Sequence, residues 1–277
     1  MISITVAAAE LPITGDARNN GERVRELMRR ASLEGVRLVH FPEGMLSGYA
    51  KNPIQDWSEV SWSAVREELE AICALAAELR LWVVLGSAHP LTPPHRPHNS
   101  LYVISDEGRV VSRYDKRFCS HAEITRFYSP GFDPVVVEID GFRFGFAICI
   151  EVNFSSVFTE YEKLGVDCVL LSAYPIDSIF FTKACAHAAI NCYWVSVSVS
   201  LDCADFVGSA VIGPDGQVQS RVDPNTGLAI AEIDRSAPEF DIPLNKARPW
   251  RTLAATSPTY YQSHRVDDRR STDRCCV

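Results

Sequence analysis

What most limits the fold of this chain is the order in which its two hydrophobic periods occur. From Ile2 to Ala8 the residues are β-branched or small and apolar. From Val24 through Leu27, Met28 and Ala31 the apolar positions recur at helical spacing, until Gly35 supplies a stop. A second short run, Leu38 to Phe41, follows. Then comes a second helical stripe at about Val60 to Arg80, carried by Val65, Leu69, Ile72, Ala76 and Leu79, which leads into LWVVLGSA. Strands that alternate with amphipathic helices assemble into a sheet with the helices outside it.

Beyond LWVVLGSA the pattern turns to hairpins. Asp106-Glu107-Gly108 separates LYVIS from RVVSRYD, and Asp140-Gly141 separates VVVEI from FRFGFAIC. Antiparallel pairing is therefore part of the sheet. A helix over about Ser155 to Leu164, the strand VDCVLLSA, a helix near Ile179 to Asn191 and the strand YWVSVSVS come next. The hairpin VGSAVIGPDGQVQSRV and the strand LAIAEID complete an α/β pattern with mixed pairing. No Gly-, Ser- or Pro-rich linker and no internal repeat divides it, so one domain over residues 1–262 is expected. Residues 263–277, SHRVDDRRSTDRCCV, hold almost no apolar content to offset their ordering entropy, and are expected to be a flexible or partner-wrapping tail.

Charge and cysteine usage narrow the class. A formal net charge of −8 argues against a nucleic-acid binder, which needs clustered Lys and Arg. The opening ISITVAAAELPI is too short and lacks a basic flank, so it reads as a first strand and not a secretory signal; no run approaches a membrane span. The nine cysteines are scattered through core segments (Cys73, Cys168, Cys185, Cys192), which points to a reducing cytoplasm. Cys275 and Cys276, adjacent in the polar tail, read as an incidental pair.

Three reactive groups share one placement, each where a strand gives way to a loop or helix. Glu43 follows LVHFP, Lys116 follows VVSRYD, and Cys149 ends FRFGFAIC. Ends of strands are where sites assemble in open sheets. Taken singly, Glu43 is a loop carboxylate, Lys116 a solvated edge lysine and Cys149 a buried thiol. Taken together they make a nucleophile, its base and a cation. A free thiol with pKa near about 8.5 is only a few per cent thiolate at neutral pH and needs such help. A lysine ammonium and the N–H of Ile150 suit an oxyanion. A Cys-His pairing through His121 or His187 is the rival scheme. His89, His95 and His98 crowd one loop without a cysteine or carboxylate to complete a metal set.

FPEGMLSGY, YDKRF and GFAICIEVNF, followed by LLSAYP, resemble the Glu, Lys and Cys motifs of the nitrilase superfamily, the carbon-nitrogen hydrolases. The resemblance runs from the first strand to about Asp234. It implies a four-layer αββα sandwich with mixed sheets, paired into a homodimer, and no cofactor. It also implies Glu43 as general base, Lys116 as oxyanion stabiliser and Cys149 as nucleophile. Glu123 is similar in position to a second glutamate of many relatives, although its interval to Gly131 is one residue longer than theirs. Tyr49, Tyr174, Asn153 and Ile150 are candidate pocket residues. Ile150-Glu151 after the cysteine matches neither the Trp-Glu of many nitrilases nor the Tyr-Asp of many amidases. The expected function is hydrolysis of a small amide or carbamoyl compound through a thioester; a nitrile hydrolase and a catalytically silent binding protein are the alternatives.

Overall fold

A computed structural model describes residues 3–272; the Cys275-Cys276 pair lies outside the described residues. The strands, in chain order, are β1 (Ser3–Ala9), β2 (Leu38–His40), β3 (Trp82–His89), β4 (His98–Ile104), β5 (Val110–Asp115), β6 (Val136–Ile139) and β7 (Phe142–Ile148). They continue with β8 (Cys168–Ala173), β9 (Trp194–Val199), β10 (Ala210–Ile212), β11 (Val218–Arg221) and β12 (Leu228–Asp234). The first sheet runs β12-β1-β2-β3-β4-β5 and the second β11-β10-β9-β8-β7-β6. Each has a parallel centre, β1–β2–β3 and β7–β8–β9, flanked by antiparallel strands. Both expected hairpin turns are present, with Gly108 and Gly141 at positive φ.

Four helices cover the sheets: α1 (Ala17–Leu33), α2 (Trp62–Leu79), α3 (Ser155–Lys163) and α4 (Ile179–Asn191). Val24, Leu27 and Met28 of α1 and Ile72 and Leu75 of α2 pack on the outer face of the first sheet. Phe158 and Tyr161 of α3 and Ala184 and Ala188 of α4 do the same for the second. Between the sheets lie Val6, Leu38 and Val84 from one side and Phe142, Phe144 and Phe146 from the other. Burying each of those phenylalanines contributes about 1.5–3 kcal/mol, so the αββα layering follows from which face of each strand is apolar. Helix α2 begins at Trp62, later than its stripe suggests, because Ser61 caps it: its Oγ accepts the Ala64 N–H at 3.4 Å. After β12 the chain continues into α5 (Arg248–Thr256), α6 (Pro258–Ser263) and α7 (Arg269–Thr272). Arg251 of α5 forks onto Glu162 of α3 at 2.6 and 2.7 Å.

A buried polar seam crosses the sandwich. His40 Nε2 lies 2.8 Å from Ser196 Oγ, Ser172 Oγ donates to the Phe41 carbonyl at 2.7 Å, and Ser198 Oγ donates to the Ala9 carbonyl at 2.7 Å. Burial pushes the His40 pKa down to about 3, so this histidine is neutral and ties the sheets together as a hydrogen-bonding group. The seam ends at Phe41, two residues before Glu43.

Candidate active site

Backbone constraints bring the three strand-end groups to one place. The turn after β2 lies against β3 because Gly86 has no side chain: a Cβ there would stand 2.0 Å from the Pro42 carbonyl oxygen. Leu46 N–H closes the turn onto the Gly86 carbonyl at 2.9 Å, leaving Glu43 facing inward and fully buried. Lys116 follows β5 and is held on both sides, its N–H donating to the Asn99 carbonyl and its carbonyl accepting the Gly131 N–H, each at 2.8 Å. Cys149 leaves β7 with φ +48°, a left-handed conformation that L-residues seldom adopt, and opens the short 3₁₀ helix Cys149–Asn153. The apolar run therefore turns out of the core at its cysteine.

The Lys116 ammonium sits 2.9 Å from Glu43 Oε1 and 2.9 Å from Glu123 Oε1, with all three side chains buried. Burial alone drives the lysine pKa down, but the two carboxylates outweigh it and hold it well above its ordinary value. Burial likewise raises the Glu123 pKa; Lys116 and the Ser120 N–H, which donates at 2.6 Å, reverse that and hold it down to about 2. Lys51 Nζ stands 3.6 Å from Glu123 and offsets the second carboxylate. Glu43 also accepts from Asn99 Nδ2 on Oε1 at 2.7 Å and from the Tyr174 N–H on Oε2 at 3.1 Å.

Cys149 Sγ points at the Tyr174 carbonyl, 3.7 Å away. Burial and then the Glu43 charge push the thiol pKa far above its ordinary value; Lys116 pulls the other way and does not prevail. The resting sulfur is therefore protonated. Glu151, two residues on, is fully buried and accepts the N–H groups of Ile148, Arg117 and Phe118 at 2.7, 2.8 and 3.1 Å, together with Tyr114 Oη at 2.8 Å. One carboxylate thus binds the turn carrying Cys149 to the turn carrying Lys116. Burial still leaves its pKa raised despite these donors.

The backbone widens directly after Glu123. Residues Glu123–Phe127 form a π-helical turn closed by the Tyr128 N–H on the Glu123 carbonyl at 2.8 Å. This turn takes up one more residue than an α-turn. Carbonyls it turns outward find donors elsewhere: Arg96 binds those of Ile124, at 2.7 Å, and Thr125, and Trp57 Nε1 binds that of Phe127 at 2.6 Å. Glu123 itself stays on Lys116.

A cavity of about 540 Å³ opens beside Cys149 and Glu123, and Tyr49, Ile150, Asn153 and Tyr174 all line it. The Tyr49 and Tyr174 rings stack at 4.2 Å between centroids and 6° between planes. The histidines are engaged elsewhere. His187 stacks on Phe158 at 3.8 Å and its Nε2 meets the Val152 carbonyl at 2.8 Å; His89 pairs with Tyr102 and Arg113; His98 meets the Ser129 carbonyl. Among the described residues neither His121 nor His187 contacts Cys149. Three residues near the site escaped sequence reading: Asn99, Lys51 and Lys183. Asn99 left one signal, a carboxamide at the head of the apolar strand HNSLYVI. The lysines left none.

Comparison with known proteins adds three findings. The sequence model of the carbon-nitrogen hydrolase family matches residues 5–239. The chain is 21% identical to a chloroplastic omega-amidase of Arabidopsis thaliana, over 90% of this chain and 73% of that protein, and 23% identical to a human omega-amidase, over 84% and 90%. Its fold resembles that of a cysteine-to-alanine mutant of the nitrilase-superfamily amidase from Nesterenkonia AN1, with a TM-score of 0.76 and 19% identity over 94% of this chain and 96% of that one. A glutamate-to-glutamine mutant of the same amidase, with a TM-score of 0.75 and 20% identity over 90% and 95%, carries the acetamide moiety of fluoroacetamide on its active-site cysteine.

Proposed function

This chain belongs to the carbon-nitrogen hydrolase family, and from that premise we propose that it hydrolyses a small amide through a thioester on Cys149. Cys149 Sγ attacks the carbonyl carbon while Glu43 takes the thiol proton. The C–N bond then breaks and Glu43 returns the proton to the departing ammonia or amine. Water attacks the thioester, again losing a proton to Glu43; the S–C bond breaks, the acid leaves and the sulfur is reprotonated.

Donor arithmetic at Lys116 carries this reading. An ammonium has three N–H groups; two are spent on Glu43 and Glu123, and the third is available to a developing oxyanion, with the Ile150 N–H as second donor. Helix geometry supports the latter, because an N–H in the first turn has no intrahelical acceptor. Glu43 is similarly apportioned. Oε1 is occupied twice and Oε2 once, which leaves a lone pair for the thiol proton. Glu123 orients the lysine, and the stacked tyrosines form a pocket wall.

A homodimer joined through the outer helices fits the large apolar side chains left exposed there, including Ile179 and Ile190 of α4 and Trp250 of α5. A reducing cytoplasm fits the buried thiols of Cys168 and Cys203, which pack as small apolar groups. The decisive experiment measures ammonia release from short amides and matched nitriles by the native chain and by Cys149→Ala. Amide turnover abolished by the substitution is expected; turnover unaffected by it refutes the scheme.

A further inference from the structure

We propose that Ser172, oriented by His40, is a positioning residue for Glu43: it fixes the backbone two residues ahead of the carboxylate, so that the base meets Cys149 at one place. This rests on the thiol-hydrolase reading above. The pattern between the sheets points to it. Side chains alternate along a strand, so every second residue faces the opposite sheet. On β2, β8 and β9 the apolar inter-sheet residues Leu38, Leu170 and Trp194 are each followed, two positions on, by a hydrogen-bonding one. These are His40, Ser172 and Ser196, all fully buried. The apolar layer thus gives way to a polar one beside the turn that carries Glu43. Stability alone does not call for this, because exchanging a buried hydrogen-bonded pair for apolar groups of the same shape is nearly neutral. What the polar groups add is direction.

Ser172 has one hydroxyl hydrogen, and the Phe41 carbonyl, 2.7 Å away, takes it. The hydroxyl oxygen can therefore only accept at its second contact, His40 Nδ1 at 3.5 Å. That assigns the ring hydrogen of neutral His40 to Nδ1 and leaves Nε2 to accept from Ser196 Oγ at 2.8 Å. Donation runs one way, from Ser196 through His40 and Ser172 to Phe41.

Two rungs then join the end of β8 to the turn after β2. Ser172 holds the Phe41 carbonyl, and Tyr174, two residues on, gives its N–H to Glu43 Oε2 at 3.1 Å. Little slack separates them. The Phe41 N–H is bonded to the Val84 carbonyl at 2.9 Å, the ring of Pro42 locks its own φ, and Gly86 backs the Pro42 carbonyl. A shift at the Phe41 carbonyl therefore moves the Glu43 carboxylate relative to the sulfur.

The test uses the full chain and follows ammonia release from propionamide, butyramide and valeramide, together with the denaturant midpoint of each variant. Ser172→Ala should lower kcat by about tenfold to a hundredfold with KM unchanged, since the base moves and the cavity walls do not. Ser172→Cys, close to the native volume but only a weak donor, should show the same loss and stands in if the alanine variant does not fold. Ser198→Ala removes a bond of the same length between the same two sheets, but one that ends at Ala9; it should keep the native kcat. In a Glu43→Gln background the Ser172→Ala substitution should cost almost nothing more. Native kcat in the folded Ser172 variants, equal losses in Ser172→Ala and Ser198→Ala, or a full further loss in Glu43→Gln overturns the inference while leaving amide hydrolysis intact. Ammonia release from none of the three amides by the native chain overturns the underlying reading, and the inference with it.

Discussion

The backbone N–H of Tyr174 donates to Glu43 Oε2 at 3.1 Å, so the strand end after β8 holds the carboxylate that the turn after β2 supplies. The carbonyl of the same residue faces the Cys149 sulfur. Carboxylate and thiol therefore meet at one residue's backbone. Glu43→Gln keeps the size and the Tyr174 contact but removes the proton acceptor. It should lower kcat by about 10²- to 10⁴-fold with an unchanged circular dichroism spectrum; a variant retaining half the native rate would show that some other group takes the proton.

Asn99 fixes the other oxygen of the same carboxylate. Asn99→Ala should reduce kcat/KM by about tenfold. Because Asn99 acts through Glu43, the loss should nearly vanish when the substitution is made in Glu43→Gln, and a double-mutant cycle measures this. Additive losses would mean that Asn99 works independently.

Burial and the Glu43 charge raise the Cys149 pKa, so thiolate in the free protein forms only above the ordinary thiol range near 9.0. Inactivation by a small uncharged alkylating agent, followed against pH, should keep climbing past that value. A plateau at or below it contradicts the protonated resting state. In stability terms a raised pKa favours the fold most below the unfolded value and loses that contribution as pH rises through the folded one.

The Lys116–Glu123 pair has the opposite sign on its acid side. The Glu123 pKa is depressed from 4.5 to about 2, so the pair's contribution is complete above the unfolded value and disappears only as pH falls toward about 2. Thermal midpoints of the native chain and of Glu123→Gln, compared from neutrality downward, should keep their separation down to the ordinary glutamate value of 4.5 and lose it progressively between there and about 2. A separation that stays constant across that interval would show that the depression is absent.

Gly86→Ala sets a methyl group against the Pro42 carbonyl. Overpacking of this kind costs about 1–3 kcal/mol, visible as a lower denaturant midpoint with unchanged slope. Since the displaced turn carries Glu43, kcat should fall by about tenfold or more in the fraction that remains folded. Full activity in that variant would show that the turn tolerates the added atom.

How much of this was legible beforehand depends on whether a contact has a local signature. The αββα layering follows from periodicity together with the family resemblance, and Glu43, Lys116 and Cys149 stand out because each lies where a strand gives way to a loop or helix. Asn99 sits 56 residues from Glu43, and Lys183 sits 30 from Asn153. No spacing rule along the chain marks such pairs, since register and packing alone bring them together. The wide turn after Glu123, closed by the Tyr128 N–H on the Glu123 carbonyl, has no signature in the sequence pattern. Glu151 joins two separate turns, and its donors at Arg117 and Phe118 come from a loop that sequence spacing does not bring near it.

The wide turn over Glu123–Phe127 also ties the Lys116 partner to two remote stretches of chain. Arg96 and Trp57 hold the carbonyls that it leaves outside its own hydrogen bonding. Loosening either clasp therefore reaches Glu123 first and, through it, the Lys116 ammonium.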